Sequence, residues 1–351
     1  MQWKGWEHLP LEIADPDSAS GVRIVDAIAP LIVSASRSTD IPAFYGDWFM
    51  ARLKAGYVKW KSPFGGNPVY VSFAKTRLFV FWSKNPEPFL PCLDTLDRMG
   101  CNYYFLTTLN DYDAEKLEPR VPPVDERIGT FIRLSERIGK GRVVWRFDPL
   151  ILSDQITVGD LLEKIRSIGD RISPYTRRLV FSFVDIAKYR KVQRNFQAQG
   201  FSGVREFTDR ERAEFCEGLA ALNRCWGLEI SACGENSDLS RFGIAKGQCI
   251  SYSLLAEEFP EDPVLMGFLR SEGQQVLSGA VDPSIFARRL KDPGQRNACS
   301  CLVSKDIGQY STCMHLCAYC YANTSPAAVI ANYERHRNDA KRGIFHDSIT
   351  G

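Results

Sequence analysis

No run of about 20 apolar residues, the length a membrane-crossing helix needs, occurs in the 351-residue chain, so no span is expected. The opening MQWKGWEHLPLEIADPD lacks the basic start and apolar core of a secretory signal. Together these absences predict a cytoplasmic protein with no membrane partner. Neither charge sign is in excess: 44 Lys and Arg face 42 Asp and Glu, for a net charge of +2. That balance excludes a general electrostatic pull toward DNA or anionic lipid and leaves only a local basic patch open. Repeats and low-complexity linkers are missing too. The length suffices for one barrel-sized domain or two smaller ones.

Cysteine is plentiful instead. Eleven cysteines in a reducing compartment point to metal or redox chemistry where they cluster, not to disulfides. Seven lie beyond residue 232: Cys233, Cys249, Cys299, Cys301, Cys313, Cys317 and Cys320. Cys92, Cys101, Cys216 and Cys225 stand in or beside apolar runs and are expected to be core thiols.

From residue 31 the chain alternates strand-like and helix-like segments. The strands are LIVSAS (Leu31–Ser36), LFVFW (Leu78–Trp82), YYFLTT (Tyr103–Thr108), VVWRF (Val143–Phe147), LVFSFV (Leu179–Val184) and LEISA (Leu228–Ala232). They are apolar throughout, as strands buried on both faces are. VYVSF (Val69–Phe73) is an extra candidate. Pro86–Met99 reads as one helix, and TDRE at Thr208–Glu211 as a capping box opening a helix that ends near Trp226. Six such units predict an α/β fold with a parallel sheet, either an open doubly wound sheet or a partial (β/α)6 TIM-like barrel. Residues 1–30 form an N-terminal extension, 31–234 the core, and 235–351 a cysteine-rich region with short helices at most, packed over the rim.

In such folds chemistry sits at the C-terminal strand ends. Here those ends read SRSTD, SKNP, TTLND, RFDP, VDIAK and CGEN. Such a concentration of ionisable groups at one rim marks a candidate active site, although Asp40, Asn85 and Asp185 could each cap a helix. Late in the chain comes CMHLCAYCYAN, in which Cys313, Cys317 and Cys320 stand as C-x-x-x-C-x-x-C. Three thiolates can grip a cubane iron–sulfur cluster and leave its fourth iron open. With His315 as fourth ligand they could instead bind zinc.

The motif C-x-H-x-C-x-Y-C-Y-A resembles that of radical S-adenosylmethionine (SAM) enzymes, in the branch of spore photoproduct lyase. FVFWSKNP, TTLNDYDAEKLEPRVPPVDERIGTFIRLSE and WRFDPLI are similar to that branch's second, third and fourth strand segments. The resemblance covers roughly residues 31–325. It departs in order, since the usual cysteine loop follows the first strand and here SRSTDIPAFYG stands there. With VSASRSTDIPAFYG and SKDIGQYSTC, this order resembles a bacterial domain-of-unknown-function family with C-terminal cysteines. The resemblance implies a partial barrel of radical-SAM type, with a tail that brings its cluster back over the open rim.

It also implies a 4Fe–4S cluster on Cys313, Cys317 and Cys320 that binds SAM and cleaves it to methionine and a 5′-deoxyadenosyl radical. That radical takes hydrogen from an unidentified substrate, and a flavodoxin or ferredoxin supplies the electron. Tyr319 is then expected at the adenine with Tyr321 beside it, and Ser83, Lys84 and Thr107 near the ribose and carboxylate. Arg37, Asp40, Arg146 and Asp148 are the candidate catalytic residues, with Arg146 and Asp148 as a bracing ion pair the plainer reading. Cys233, Cys249, Cys299 and Cys301 could complete a second site, an auxiliary iron–sulfur cluster by analogy or else zinc. The alternative function is a zinc-stapled nucleic-acid binder with Trp82, Trp145 and Tyr321 as stacking surfaces.

Overall fold

A computed structural model describes residues 5–15, 17–18, 20–187, 189–271 and 290–351. Its first strands are β1 (Glu7–Ala14), β2 (Val22–Ala29), β3 (Ile32–Ala35), β4 (Tyr57–Trp60), β5 (Val69–Ser72) and β6 (Leu78–Ser83). The others are β7 (Asn102–Thr108), β8 (Val143–Leu150), β9 (Arg178–Phe183), β10 (Glu229–Ala232), β11 (Ala245–Lys246) and β12 (Lys305–Asp306). The helices begin with α1 (Ile41–Phe44), α2 (Gly46–Ala55), α3 (Leu93–Arg98), α4 (Val124–Ile138) and α5 (Val158–Ile172). They continue with α6 (Arg190–Ala198), α7 (Asp209–Trp226), α8 (Tyr252–Glu258), α9 (Pro263–Ser271) and α10 (Pro326–Lys341).

The main sheet has the order β11-β10-β9-β8-β7-β6-β3-β12, and every pairing in it is parallel. Its six longer strands are the six expected from the apolar runs, and each lies beside its neighbour in the chain. From β3 to β11 the strands follow one another across the sheet in a single direction, and β12 adds at the opposite edge beside β3. The two faces are covered by different parts of the chain. Phe79, Phe81, Phe105, Trp145 and Phe181 pack on one side with α2 to α7. Leu78, Val80, Tyr104, Leu106 and Val180 pack on the other with Leu254, Leu255, Leu265, Leu269 and Leu302 of the tail. Alternate residues of one strand thus feed two cores, which is why the strands read as unbroken apolar runs. No pairing closes the sheet among the described residues.

Four expectations need correction. The N-terminal extension carries an eight-pair hairpin, Glu7↔Ala29 to Ala14↔Val22, which joins β5 and β4 in a second sheet. β1 does alternate, with Leu9, Leu11 and Ile13 on its partly buried side and exposed residues between them, while β2 is largely exposed, Ile24 at 69%. The segment Pro86–Met99 is not one helix. Glu87–Cys92 is 3-10 and α3 follows, because Pro91 supplies no N–H for an α-turn. The tail holds more than short helices, since α10 runs 16 residues. Val329 and His336 are its buried positions, so its apolar stripe was too thin to see. Finally, Cys216 is a core thiol, but Cys225 is exposed on α7. The box at Thr208 and Glu211 forms as expected, and α7 stops at Gly227 in the left-handed conformation. No helix among the described residues is long and apolar enough to cross a membrane.

Candidate active site

The tail returns to the sheet through β12, which adds in parallel beside β3 (Lys305↔Val33, Asp306↔Ser34). Asp306 then accepts the Arg37 N–H at 2.6 Å and the Gly308 N–H at 2.9 Å. A Cβ on Gly308 would overlap the Ser36 side chain, so this close crossing requires glycine. The cysteine loop follows and lies over the ends of β3, β6 and β7. Tyr45 Oη donates to Thr312 O at 2.8 Å, and Ala318 N to Leu117 O at 2.9 Å. Tyr321 Oη donates to Arg37 O (3.1 Å), and Asn195 Nδ2 to Cys320 O (3.0 Å). Cys317 is buried, and Cys313 and Cys320 are half-buried.

Backbone N–H groups point at two of these sulfurs. Cys313 receives those of His315 and Asp40, and Cys320 those of Ala322 and Asn323. Burial nevertheless pushes the Cys313 thiol up to about 12, and raises Cys317 and Cys320 as well. Thiols held this way ionise when a cation arrives to take the charge. His315 is not free to complete a four-ligand set. Its Nε2 donates to Asp40 Oδ2 at 2.7 Å, and its Nδ1 faces Arg120 O at 3.4 Å.

Asp40 is the hub of the rim. Its Oδ1 accepts from Ala43 N (3.0 Å) and Ser83 Oγ (2.7 Å), and its Oδ2 from Lys84 N (2.7 Å) and His315. It caps α1, as the sequence allowed, while tying β3, β6 and the cysteine loop together. A second node is Glu118, from the L-E-P segment and not singled out in the sequence. It is buried and accepts from Lys84 Nζ (2.8 Å), Asn110 Nδ2 (2.9 Å) and the Tyr319 hydroxyl, with Arg127 Nη1 at 3.8 Å. The Lys84 ammonium lies over the Tyr319 ring.

Burial alone would raise the Glu118 carboxyl, but Lys84 and Arg127 outweigh it and hold it at about 2 against an ordinary 4.5. The folded value lies below the unfolded one, so this stabilisation is complete above about pH 5 and is lost as pH falls toward 2. It amounts to about 3 kcal/mol. A Glu118→Gln chain is therefore expected to lose about 3 kcal/mol in urea unfolding at pH 7. Its deficit against the wild type is expected to close as pH falls from 4.5 to 2.

The remaining predicted residues form a second group. Arg146 pairs with Asp148 at 2.6 Å, so the bracing ion pair exists. Arg37 pairs with Asp292 (3.2 Å) and donates to Ser304 Oγ (2.9 Å). Both guanidiniums lie against the Trp82 ring, at 5.4 Å for Arg37 and 4.8 Å for Arg146. Thr39 Oγ1, Trp82 Nε1, Thr107 Oγ1 and Arg146 Nε are buried and find no hydrogen-bond partner among the described residues. Trp82 and Arg146 lie on the face the tail covers, whereas Thr107, two residues on from Phe105, lies on the helix-covered face. Tyr321 is 44% exposed. Trp145 is fully buried, with its Nε1 donating to Leu109 O at 3.0 Å, and offers no stacking surface. A strand aromatic between two cores looks, in sequence, the same as one on a face.

The other four cysteines also meet. Cys233 directly follows β10, and Cys249 Sγ lies 3.8 Å from its Sγ. Cys299 lies against Cys233, and Cys301 against both Cys249 and Cys299, so the thiols form a ring. Gly247 permits this. A Cβ there would strike the Ala232 carbonyl, which the chain must cross to bring Cys249 to Cys233. Among the described residues no group of three or more His, Cys, Asp or Glu yet converges on one metal position. A small pocket lined by Leu117, Ile156 and Phe201 contains none of the cysteines.

The chain belongs to the family described as a domain of unknown function, DUF1848, whose model matches residues 32–322. The match starts with β3 and ends just past the cysteine loop, so it contains both cysteine sets. No curated protein and no solved structure matches the chain.

Proposed function

We propose that the chain is a radical-SAM enzyme whose 4Fe–4S cluster is held by Cys313, Cys317 and Cys320. The donor set carries this reading: three thiols on one loop, while His315, the one imidazole among them, is bound through Nε2 to Asp40. A structural zinc site wants a fourth protein ligand, whereas three thiolates suit a cubane with one open iron. When bound, that group would supply the electron that splits the sulfonium bond of SAM into methionine and a 5′-deoxyadenosyl radical.

The chain's own residues bind, orient and shield. Asp40 and Glu118 hold the loop against β3, β6 and β7. Trp82 and Arg146 present buried polar atoms in want of partners on the face the tail covers, as a site for a polar cosubstrate and its substrate would. The tail roofs the sheet and keeps water from a reactive radical. Six parallel strands wound in chain order also agree with a partial barrel of radical-SAM type, and a flavodoxin or ferredoxin would be the reducing partner.

Anaerobic reconstitution with iron and sulfide, followed by dithionite and SAM, tests this. The expected result is 5′-deoxyadenosine, with about four irons bound per chain at the loop. A chain that takes up no iron and releases no deoxyadenosine would sink the reading.

A further inference from the structure

We propose that Cys233, Cys249, Cys299 and Cys301 hold a single zinc ion in a tetrahedral, all-thiolate site, and not the auxiliary iron–sulfur cluster that the family resemblance suggests. Four sulfurs about 2.3 Å from one tetrahedral ion stand about 3.8 Å from each other. The Cys233 and Cys249 sulfurs are 3.8 Å apart, and contacts between neighbouring thiols close the ring through Cys301 and Cys299. In a cubane each cysteine binds a different iron at a separate corner, which holds the ligand sulfurs out of mutual contact. Cys313, Cys317 and Cys320 influence one another electrostatically, but no hydrogen bond joins their thiols among the described residues.

Surroundings agree with the spacing. All four sulfurs belong to buried residues, so the site is closed, as structural zinc sites are and catalytic ones are not. Backbone N–H groups support two of them: Cys249 N lies 3.2 Å from Cys301 Sγ, and Cys301 N lies 3.5 Å from Cys299 Sγ. One Zn²⁺ with four thiolates carries a charge of −2, and burying it requires nearby cations. Arg37, Arg146 and Arg296 are close enough to these thiols to interact with them. Binding replaces the four thiol protons with one dication and releases the protons to solvent, with no change of oxidation state. The four sulfurs do not converge on one point in this structure, so binding would draw the ring inward into a tetrahedron. The ion would pin the end of β10 to the segment that leads into β12, and so staple the tail across the open sheet.

The inference does not depend on the loop's reading, and its test separates the two. A Cys313→Ala/Cys317→Ala/Cys320→Ala chain, expressed whole and offered both zinc and iron with sulfide, is expected to retain about one zinc and no iron. X-ray absorption at the zinc edge should show four sulfurs at about 2.3 Å. Adding Cys301→Ser should remove the zinc. If that variant does not fold, cobalt loading of the triple variant keeps the test open, because tetrahedral thiolate-bound cobalt has intense visible bands. Iron in the triple variant, as one ion or as a cluster, would overturn the proposal, and so would a folded triple variant without metal.

Discussion

A Cys317→Ala chain, reconstituted with iron and sulfide and given dithionite and SAM, is expected to release no 5′-deoxyadenosine above the protein-free control. Its fold should be unchanged. The loop is held by Thr312, His315, Ala318, Tyr319 and Tyr321, through bonds to Tyr45, Asp40, Leu117, Glu118 and Arg37, and none of these uses the Cys317 thiol. What the substitution removes is one of three thiols on a loop that has no spare ligand. Iron at the loop should fall with activity, while zinc at the second site stays at about one per chain. Cys225→Ala is the control, since that thiol is exposed on α7 and belongs to neither set. Persistent deoxyadenosine in Cys317→Ala would remove the loop from the chemistry.

The contrast between the two cysteine sets was half visible in the sequence. Spacing announced the loop, because three ligands within eight residues need no tertiary fold to come together. The second set draws on residues 233, 249, 299 and 301, and its members were named, but whether they touch is a tertiary fact. The choice of metal rests on that fact, since contact between sulfurs separates a single ion from a cluster. The six core strands are legible because each is apolar on both faces, and β1 carries its own signal in the alternation of Leu9, Leu11 and Ile13.

Polar nodes were the least legible part. Asp40 was named, but its link to His315 spans 275 positions in the chain. Glu118 gave no sign of being buried, because a carboxylate does not enter a core without cations, and Lys84 and Arg127 reach it through the fold. Asp292 and Asp306, which hold Arg37 and its backbone, were overlooked for the same reason.

The second large effect expected is that of Asp40→Ala. Asp40 is buried, and its two oxygens receive four donors. Alanine leaves the Lys84 N–H, the Ser83 hydroxyl, the Ala43 N–H and the His315 imidazole without that acceptor. Stranded donors each cost about 1–3 kcal/mol when water cannot reach them, and relaxation recovers part of the sum. A loss of about 3–5 kcal/mol in urea unfolding is therefore expected, in the range found when one partner of a buried pair is removed. His315→Ala breaks only one of the four bonds and should cost less. Since the two residues touch, the double variant should be more stable than the sum of the single losses predicts, by about 1–2 kcal/mol. Strict additivity would mean that the His315 contact does not hold the loop. With coupling present, Asp40→Ala should also admit a protease within residues 310–325 sooner than the wild type does, because the bond that fastens the cysteine loop to the ends of β3 and β6 is gone.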